Sequence, residues 1–469
     1  MSDKLYVFIL LTYCLKRIYL FIMIENTRHY VGHVKMKDYL ETHIATNREI
    51  QANCDLSERQ VLRELTKLGD RVVKIASGRR PKYALTKNAF AAGDRLNIWE
   101  VDAQGKHSCI AVLRPLSVGG FFVEKLVGGS SLLLGEAGNG LYDDLPFFLR
   151  DMAPQGFLGR KIARELNQRD SDFPSNPEHW RNEHIGQYLL SNNDYAMGDL
   201  KLGNSANLRL KSSFSLSTPQ AYPALAEQVL SEGSPMSSAG GEQPKFVSYC
   251  MEKQQHVIVK FSPKGGGKSA QRWRDILISE HYANELINSD GVLTAASSTL
   301  IEKEGRLFLE SIRFDRHAKH GRSSMLSLKS IDVEFVGSGE SWVSSLTGLY
   351  KMKLLSEQDL FNGQCLWLFG RLINNTDMHL GNMSLGLHGE VFNLLPIYDM
   401  CSMGFAPKNN GEVMPFTFAV PDIPKALLDS DNLEWVQKMA GRYWRTLLVA
   451  PEISDEFRAF LTEFVSRGL

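Results

Sequence analysis

The sequence predicts an α+β protein, and three observations carry that prediction. Apolar residues at helical spacing between Val34 and Leu68 give way to two short strand-like runs. Lys245 to Cys250 and His256 to Phe261 read as paired strands leading into a long helical pattern. An Asp-, Asn- and His-bearing loop at 375–382 follows an apolar helix and precedes a further hairpin. At about 150 residues per domain, a chain of 469 residues suggests roughly three domains. Lys plus Arg and Asp plus Glu both total 53, so the net charge is zero. A wholly basic nucleic-acid coat and an acidic tail protein are excluded, and local charge imbalance becomes informative. Hydrophobic residues at 43% and charged residues at 23% suit a globular chain with a sizeable core. Cys14, Cys54, Cys109, Cys250, Cys365 and Cys401 form no CxxC pair. That argues against a disulfide scaffold or zinc ribbon and for a reducing, cytoplasmic setting.

The first 23 residues stand apart. Leu5 to Leu15 and Ile18 to Ile24 are strongly apolar but are interrupted by Lys16-Arg17. Neither reaches the roughly 20 apolar residues of a membrane span, and the order of features is not that of a signal peptide. A membrane anchor, a buried helix and translated upstream sequence all compete. The abrupt change in patterning favours the last, with a start at Met23, and no membrane partner is expected.

Residues 24–90 form the next expected domain. Met36, Tyr39, Leu40 and Ile44 share a helical face, and a second helix covers about Arg48 to Asn53. Asp55-Leu56 makes a turn. Ser57 and Gln60 form a capping box opening a third helix, expected to turn Val61, Leu62, Leu65 and Leu68 inward. Val72 to Ile75 and Lys82 to Leu85 flank a basic hairpin tip, Ser77-Gly78-Arg79-Arg80-Pro81. Twelve basic residues face seven acidic ones between Lys35 and Lys87, in a chain of zero net charge. The pattern resembles a winged helix-turn-helix. Its third helix would offer Arg59, Arg63 and Lys67 to a DNA major groove, and its wing would offer Arg79 and Arg80 to phosphate or minor groove. The competing reading is a protein-interaction module with solvated charges.

Residues 91–225 are expected to hold a small β region, including Leu96, Ile98, Val101 and the turn Asp102 to Gly105, followed by a helical connection. Gly198 to Ser238, rich in Ser, Pro and Gly, reads as a loose approach between lobes. Residues 226–318 would form a strand-rich core, and residues 319–469 a helical part carrying the 375–382 loop.

That loop reads Asn375-Thr376-Asp377-Met378-His379-Leu380-Gly381-Asn382, with Tyr398-Asp399 beyond the next hairpin. Phosphoryl transfer from ATP needs a carboxylate to position the attacking hydroxyl and oxygen ligands for Mg²⁺. Asp377 and Asn382 have the spacing of those groups in a protein-kinase catalytic loop. Asp399 falls where a second metal-binding Asp belongs. Ser356 to Asp359 caps the apolar helix that delivers the loop. Upstream, Gly240 and Gly241 sit in a loop between strand-like segments, where backbone N–H groups can approach phosphate. Lys260 ends the second strand, and Glu280 lies on the following helix as its expected ion-pair partner. Taken singly, Lys260 reads equally well as a snorkelling strand lysine and Glu280 as a solvated carboxylate.

Gly267-Lys268-Ser269 resembles the end of a Walker P-loop, but Ser262 stands where that pattern needs glycine. The glycines of Gly135 to Gly140 are in the wrong order for a dinucleotide fingerprint. Asp377, His379, Asn382 and Asp399 could also serve a Mg²⁺-dependent nuclease.

Together these residues resemble the HipA family of toxin kinases. The resemblance runs from about Asp94 to the C-terminus. It rests on residues 145–156 (LPFFLRDMAPQG), 237–245 (SSAGGEQPK), Lys260, 313–316 (RFDR), 375–382 (N-x-D-x-H-x-x-N) and Tyr398-Asp399. It implies a bilobal protein-kinase fold with a largely helical C-lobe, using ATP and Mg²⁺ to phosphorylate Ser or Thr. Asp377 would be catalytic, with Asn382 and Asp399 on the metal. Lys260 and His379 would lie by the ATP phosphates, and Ile312, Phe314 and Asp315 by the adenine and ribose. Ser237 matches the family's self-phosphorylated serine, whose added charge would disturb the phosphate cradle. Gly381 replaces a frequent family Lys. The N-terminal domain resembles that of a single-chain, YjjJ-like subgroup, whereas ordinary members rely on a separate DNA-binding antitoxin. Family substrates such as aminoacyl-tRNA synthetases do not follow from this sequence. A palindromic operator would require two copies of the chain. The rival to a DNA-binding kinase is a DNA-binding regulator whose kinase-like lobe only senses nucleotide.

Overall fold

The computed structural model describes residues 35–76, 78, 80–191, 195–204, 214–231, 243–407 and 427–466. The apolar leader, Ser237, Gly240, Gly241 and Arg79 lie outside them. Two compact units are present: the described residues up to Asn88 with Arg114–Phe122, and Ala89–Leu113 with the residues from Val123 onward.

In the first unit, α1 (Met36–Thr42), β1 (Ala45–Thr46), α2 (Asn47–Cys54), α3 (Glu58–Leu68), β2 (Val72–Ile75) and β3 (Lys82–Leu85) follow one another. The strands form an antiparallel sheet in the order β1-β3-β2, with Ala45 opposite Tyr83 and Val73 opposite Ala84. Two capping boxes set the helix starts. Thr46 and Glu49 bond reciprocally at α2, as do Ser57 and Gln60 at α3. Each box satisfies donors that a helix end leaves open, a cap being worth about 1 kcal/mol. Asp55, at φ 52°, turns the chain between the two helices. Met36, Leu40, Ala45, Ile50, Cys54, Val61 and Leu85 make the core. One expectation fails here. Leu62 does not face inward but is 49% exposed. The inward stripe runs through Val61, Leu65 and Leu68, and a residue one step from Val61 is turned by about 100° off that stripe.

The described residues from Ala89 onward include two five-stranded sheets. β4 (Leu96–Val101), β5 (His107–Pro115), β6 (Phe121–Lys125), β7 (Leu141–Tyr142) and β8 (Leu200–Leu202) form the first, in the order β7-β6-β5-β4-β8. Helices α4 (Phe147–Arg150), α5 (Gly156–Arg169) and α6 (Asn182–Leu190) lie between β7 and β8 in the chain. The described residues after Gly198 include regular elements that the Ser-, Pro- and Gly-rich composition does not suggest: β8, β9 (Leu216–Ser217) and helix α7 (Tyr222–Ser231). Tyr222, Ala226 and Val229 recur at helical spacing and are buried, a stripe obscured in sequence by the surrounding Pro and Ser.

β10 (Lys245–Cys250) and β11 (Gln255–Phe261) lead into the long helix α8 (Lys268–Asp290), then β12 (Ser298–Lys303) and β13 (Arg306–Ile312). The second sheet runs β12-β13-β11-β10-β9. Val257, Val259 and Phe261 alternate along β11 toward a core with Phe246, Phe308, Tyr222 and Phe157. Burying each such aromatic contributes on the order of 2 kcal/mol. Beyond the short strands β14 (Arg316–His317), β15 (Gly321–Arg322) and β16 (Leu326–Ser327) comes a helical half. It contains α9 (Leu328–Ile331), α10 (Trp342–Lys351), α11 (Glu357–Leu372), α12 (Ser430–Val449) and α13 (Asp455–Ser466). The hairpin β17 (Ser384–His388) and β18 (Val391–Leu394) lies between α11 and α12 in the chain and pairs with β16.

Candidate active site

Strand period and helix position bring three ionisable groups together. Lys260 alternates with the core residues Val259 and Phe261, so its side chain leaves β11 on the opposite face. Glu280 sits mid-way along α8 among the buried residues Leu277, Ile278 and Ala283. The Lys260 Nζ lies 2.6 Å from both Glu280 oxygens and 2.6 Å from Asp399 Oδ1. Burial opposes the lysine's charge, but Asp399 and Glu280 outweigh it and raise its pKa, so the ammonium is retained. Burial pushes Asp399 upward too, yet Lys260 and then Lys245 bring its carboxyl down to about 2. Glu280 is raised, chiefly by burial, with Lys260 pulling the other way.

The 375–382 loop is tied to this triad through Asn375, which is 3% exposed. Its Nδ2 donates to the Asp399 carbonyl at 3.2 Å, and its Oδ1 accepts from the Asp377 N–H at 3.1 Å. Asn382 Nδ2 donates to the Asp377 carbonyl at 2.7 Å. Asp399 holds a left-handed backbone at φ 54°, a conformation that costs a non-glycine residue about 1–3 kcal/mol. The preceding segment is fixed by Ile397, whose N–H donates to Thr294 O at 2.9 Å and whose carbonyl accepts from Ala296 N at 2.8 Å.

Asp377 and His379 point outward, their side chains 53% and 60% exposed, with His379 Nε2 at 3.9 Å from Asp377 Oδ1. Three donors shape the turn between them and Asn382. The Trp342 indole N–H donates to His379 O at 2.9 Å, Tyr398 OH donates to Gly381 O at 3.0 Å, and Gly381 N–H donates to His379 Nδ1 at 3.0 Å. A Cβ at position 381 would meet the His379 ring at 3.0 Å, so the glycine lets the imidazole fold back. Nothing in the sequence marks Trp342, and Tyr398 is marked only as half of the Tyr398-Asp399 motif. Their contacts arise across sequence separations that no local pattern encodes.

Phe314 lies tilted against Tyr398, ring centroids 6.1 Å apart, which brings the chain just after β13 beside the Asp399 segment. Ile312 closes that strand opposite Val257. Asp315 is committed elsewhere. Arg313, Arg316 and the Gly198 N–H occupy its carboxylate, at 2.7, 2.9 and 3.0 Å, and the two arginines hold its pKa far below the usual range against burial. Its carboxylate anchors the 195–198 segment.

The oxygen donors fit a hard cation. With its Nδ2 bonded to Asp377 O, the Asn382 amide keeps its carbonyl oxygen as acceptor, and Asp399 keeps its second carboxylate oxygen. Among the described residues no cluster of three or more His, Cys, Asp or Glu is placed to hold a metal. That donor set suits Mg²⁺, which commonly takes one or two carboxylates and completes its shell with water and phosphate. In the first unit, Arg59, Arg63 and Arg80 are exposed, while Lys67 pairs with Glu64 at 2.6 Å.

Fold and site together define a HipA-like class of protein. The HipA-like C-terminal domain matches residues 237–445, and the middle domain of YjjJ-like toxins matches residues 92–211. The chain belongs to the YjjJ-like, HipA-like toxin family, being 32% identical over 410 residues to Toxin YjjJ of Escherichia coli strain K12, across 84% of this chain and 88% of that one. A chain of the Shewanella oneidensis MR-1 HipA, HipB and operator DNA complex shares the fold, with a TM-score of 0.53 at 15% identity, covering 79% of this chain and 95% of that one. The Helicobacter pylori proinflammatory kinase CtkA overlaps over 49% of this chain and 88% of its own, with 16% identity and a TM-score of 0.33, too slight an overlap to argue from. Among the described residues no helix is long and apolar enough to cross a membrane.

Proposed function

We propose that the chain is an ATP- and Mg²⁺-dependent serine/threonine protein kinase of toxin type, carried by a DNA-binding winged helix-turn-helix. The observation that supports it best is the bridging of Glu280 and Asp399 by Lys260, at 2.6 Å each, beside a loop that presents Asp377 and Asn382. With nucleotide bound, Mg²⁺ would neutralise phosphate charge from Asn382 and Asp399. Lys260 would turn from Asp399 toward the phosphates while Glu280 keeps it in line. Asp377, exposed and held through its backbone with His379 Nε2 3.9 Å from Oδ1, is placed to accept a hydrogen bond from an attacking hydroxyl. Gly240 and Gly241 would cover the phosphates, and Phe314 with the backbone at Ile312 would line the adenine side.

The order of elements in the first unit, with three helices and a three-stranded sheet, supports the winged-helix reading. Its exposed Arg59, Arg63, Lys67 and Arg80 support duplex DNA as the partner, with Arg79 beside them in sequence. The domain divisions at about residues 90, 225 and 318 belong to the same reading.

Dephosphorylated protein incubated with Mg-ATP and mapped by mass spectrometry tests it. The expected result is one phosphate on Ser237, absent from Asp377→Ala. Unmodified wild-type protein would refute self-phosphorylation.

A further inference from the structure

Leu62 is the one side chain of α3 that breaks its polar outer face. It lies 49% exposed beside the exposed Arg59, Arg63 and Thr66. Thr66, one turn on, donates its hydroxyl to the Leu62 carbonyl at 2.9 Å. The hydroxyl is thereby occupied by the helix itself, and the threonine's other branch, a methyl group, continues the apolar patch. Four residues apart, the two lie one above the other on the same face. The patch is small: exposed Arg59 and Arg63 flank it along one side, Lys67 follows in its pair with Glu64, and the exposed Glu58 stands one turn before Leu62.

A leucine in that position gains nothing from solvent and adds nothing to the core, which is complete with Val61. The major groove of DNA offers a matching surface. There the 5-methyl of thymine is the one apolar group on a base edge, and phosphates line both walls at the distance of flanking arginines and lysines. The surrounding cations favour a polyanion over an apolar protein surface, which would leave three charges to desolvate.

We propose that Leu62, with the Thr66 methyl, reads thymine methyl groups in the major groove. A thymine is thereby specified opposite the middle of α3. The proposal rests on the DNA-binding reading above and adds a base preference to it.

The test uses the full chain. Duplexes are selected from a random pool, and each thymine of the selected site is then replaced in turn by uracil, which differs only in lacking the methyl. Binding is measured at fixed salt. The expected result is one thymine per recognition helix whose replacement weakens binding by about three- to tenfold. The Leu62→Ala protein should bind the thymine and uracil duplexes alike, the two changes failing to add. Because Leu62 is half exposed, the variant should melt with the wild type, and a melting curve checks that. Selected duplexes with no sensitivity to uracil at any position would overturn the proposal while leaving DNA binding intact. So would equal sensitivity in Leu62→Ala. If Leu62→Ala instead loses self-association, with thymine and uracil indistinguishable in the wild type, the face belongs to a second copy of the chain and the proposal is wrong. Failure to select any duplex would refute the DNA-binding reading itself.

Discussion

The Lys260 cluster and the outer face of α3 are both assemblies of charged side chains, but they hold their charges in opposite ways. Lys260 and Glu280 are 6% and 3% exposed, and Lys260 contacts both Glu280 and Asp399, so each group's energy depends on the other two. Arg59, Arg63 and Lys67 stand in solvent, and Lys67 shares only an exposed pair with Glu64 at 2.6 Å. Buried charges are coupled because low local dielectric and lost hydration make an unpaired one costly. Exposed charges are screened, and their value appears only when a partner displaces the water and counterions. One cluster is organised within the chain alone, whereas the other would gain energy only on meeting a partner.

Substitutions should separate the two regimes, and the largest effect belongs to the loop beside the buried cluster. Asp377→Ala is expected to reduce phosphate transfer by about 10²–10⁴-fold with little change in melting, since its side chain is exposed. A steady-state rate beside a melting curve checks both halves. Lys260→Met should destabilise the fold by about 3–5 kcal/mol, because Glu280 is left buried without its cation. Adding Glu280→Gln should restore part of that loss, and urea titration of the single and double variants measures the coupling.

Acid exposes the same coupling. The Asp399 pKa falls from its ordinary 3.8 to about 2 in the folded chain, so its stabilisation is complete above about pH 4. It is lost as the pH falls toward 2, a contribution on the order of 2 kcal/mol. Asp399→Asn should flatten that acid limb in urea titrations between pH 5 and 2. A limb of unchanged steepness would place the acid sensitivity elsewhere.

On α3 the effects should be smaller and additive. Arg63→Ala should weaken duplex binding across sequences and lower the salt slope by about one, read from anisotropy titrations at several salt concentrations. Breaking the Lys67–Glu64 pair with Glu64→Ala should change stability by no more than about 0.5 kcal/mol. Strong coupling between Arg59 and Arg63 would erase the contrast between the regions.

The same contrast governs what could be read in advance. Local rules found the capping box at Ser57, the strands around Lys260 and the Asp377–Asn382 spacing, because each is written within a few neighbouring residues. The Lys260–Glu280 contact is legible only through the kinase pairing of a strand lysine with a helix glutamate, since neither residue alone marks it. The contacts of Trp342 and Tyr398 and the Asn375 bridge are not, since they depend on segments brought together by tertiary packing. Leu62 was misplaced because an apolar residue beside an inward stripe looks like part of it. The helix α7 was missed because Pro and Ser density outweighed its short apolar stripe. Asp315 shows a further limit: its RFDR setting marks an important residue without revealing that the neighbouring arginines consume its charge.

The central claim is that Lys260, Asn382 and Asp399 form one site for a magnesium-bound nucleotide. Calorimetric titration of the full chain with a non-hydrolysable ATP analogue, with and without Mg²⁺, tests it most directly. The account predicts binding that Mg²⁺ strengthens in the wild type and no longer strengthens in Asp399→Asn. Absence of nucleotide binding, or an undiminished Mg²⁺ effect in Asp399→Asn, would contradict it.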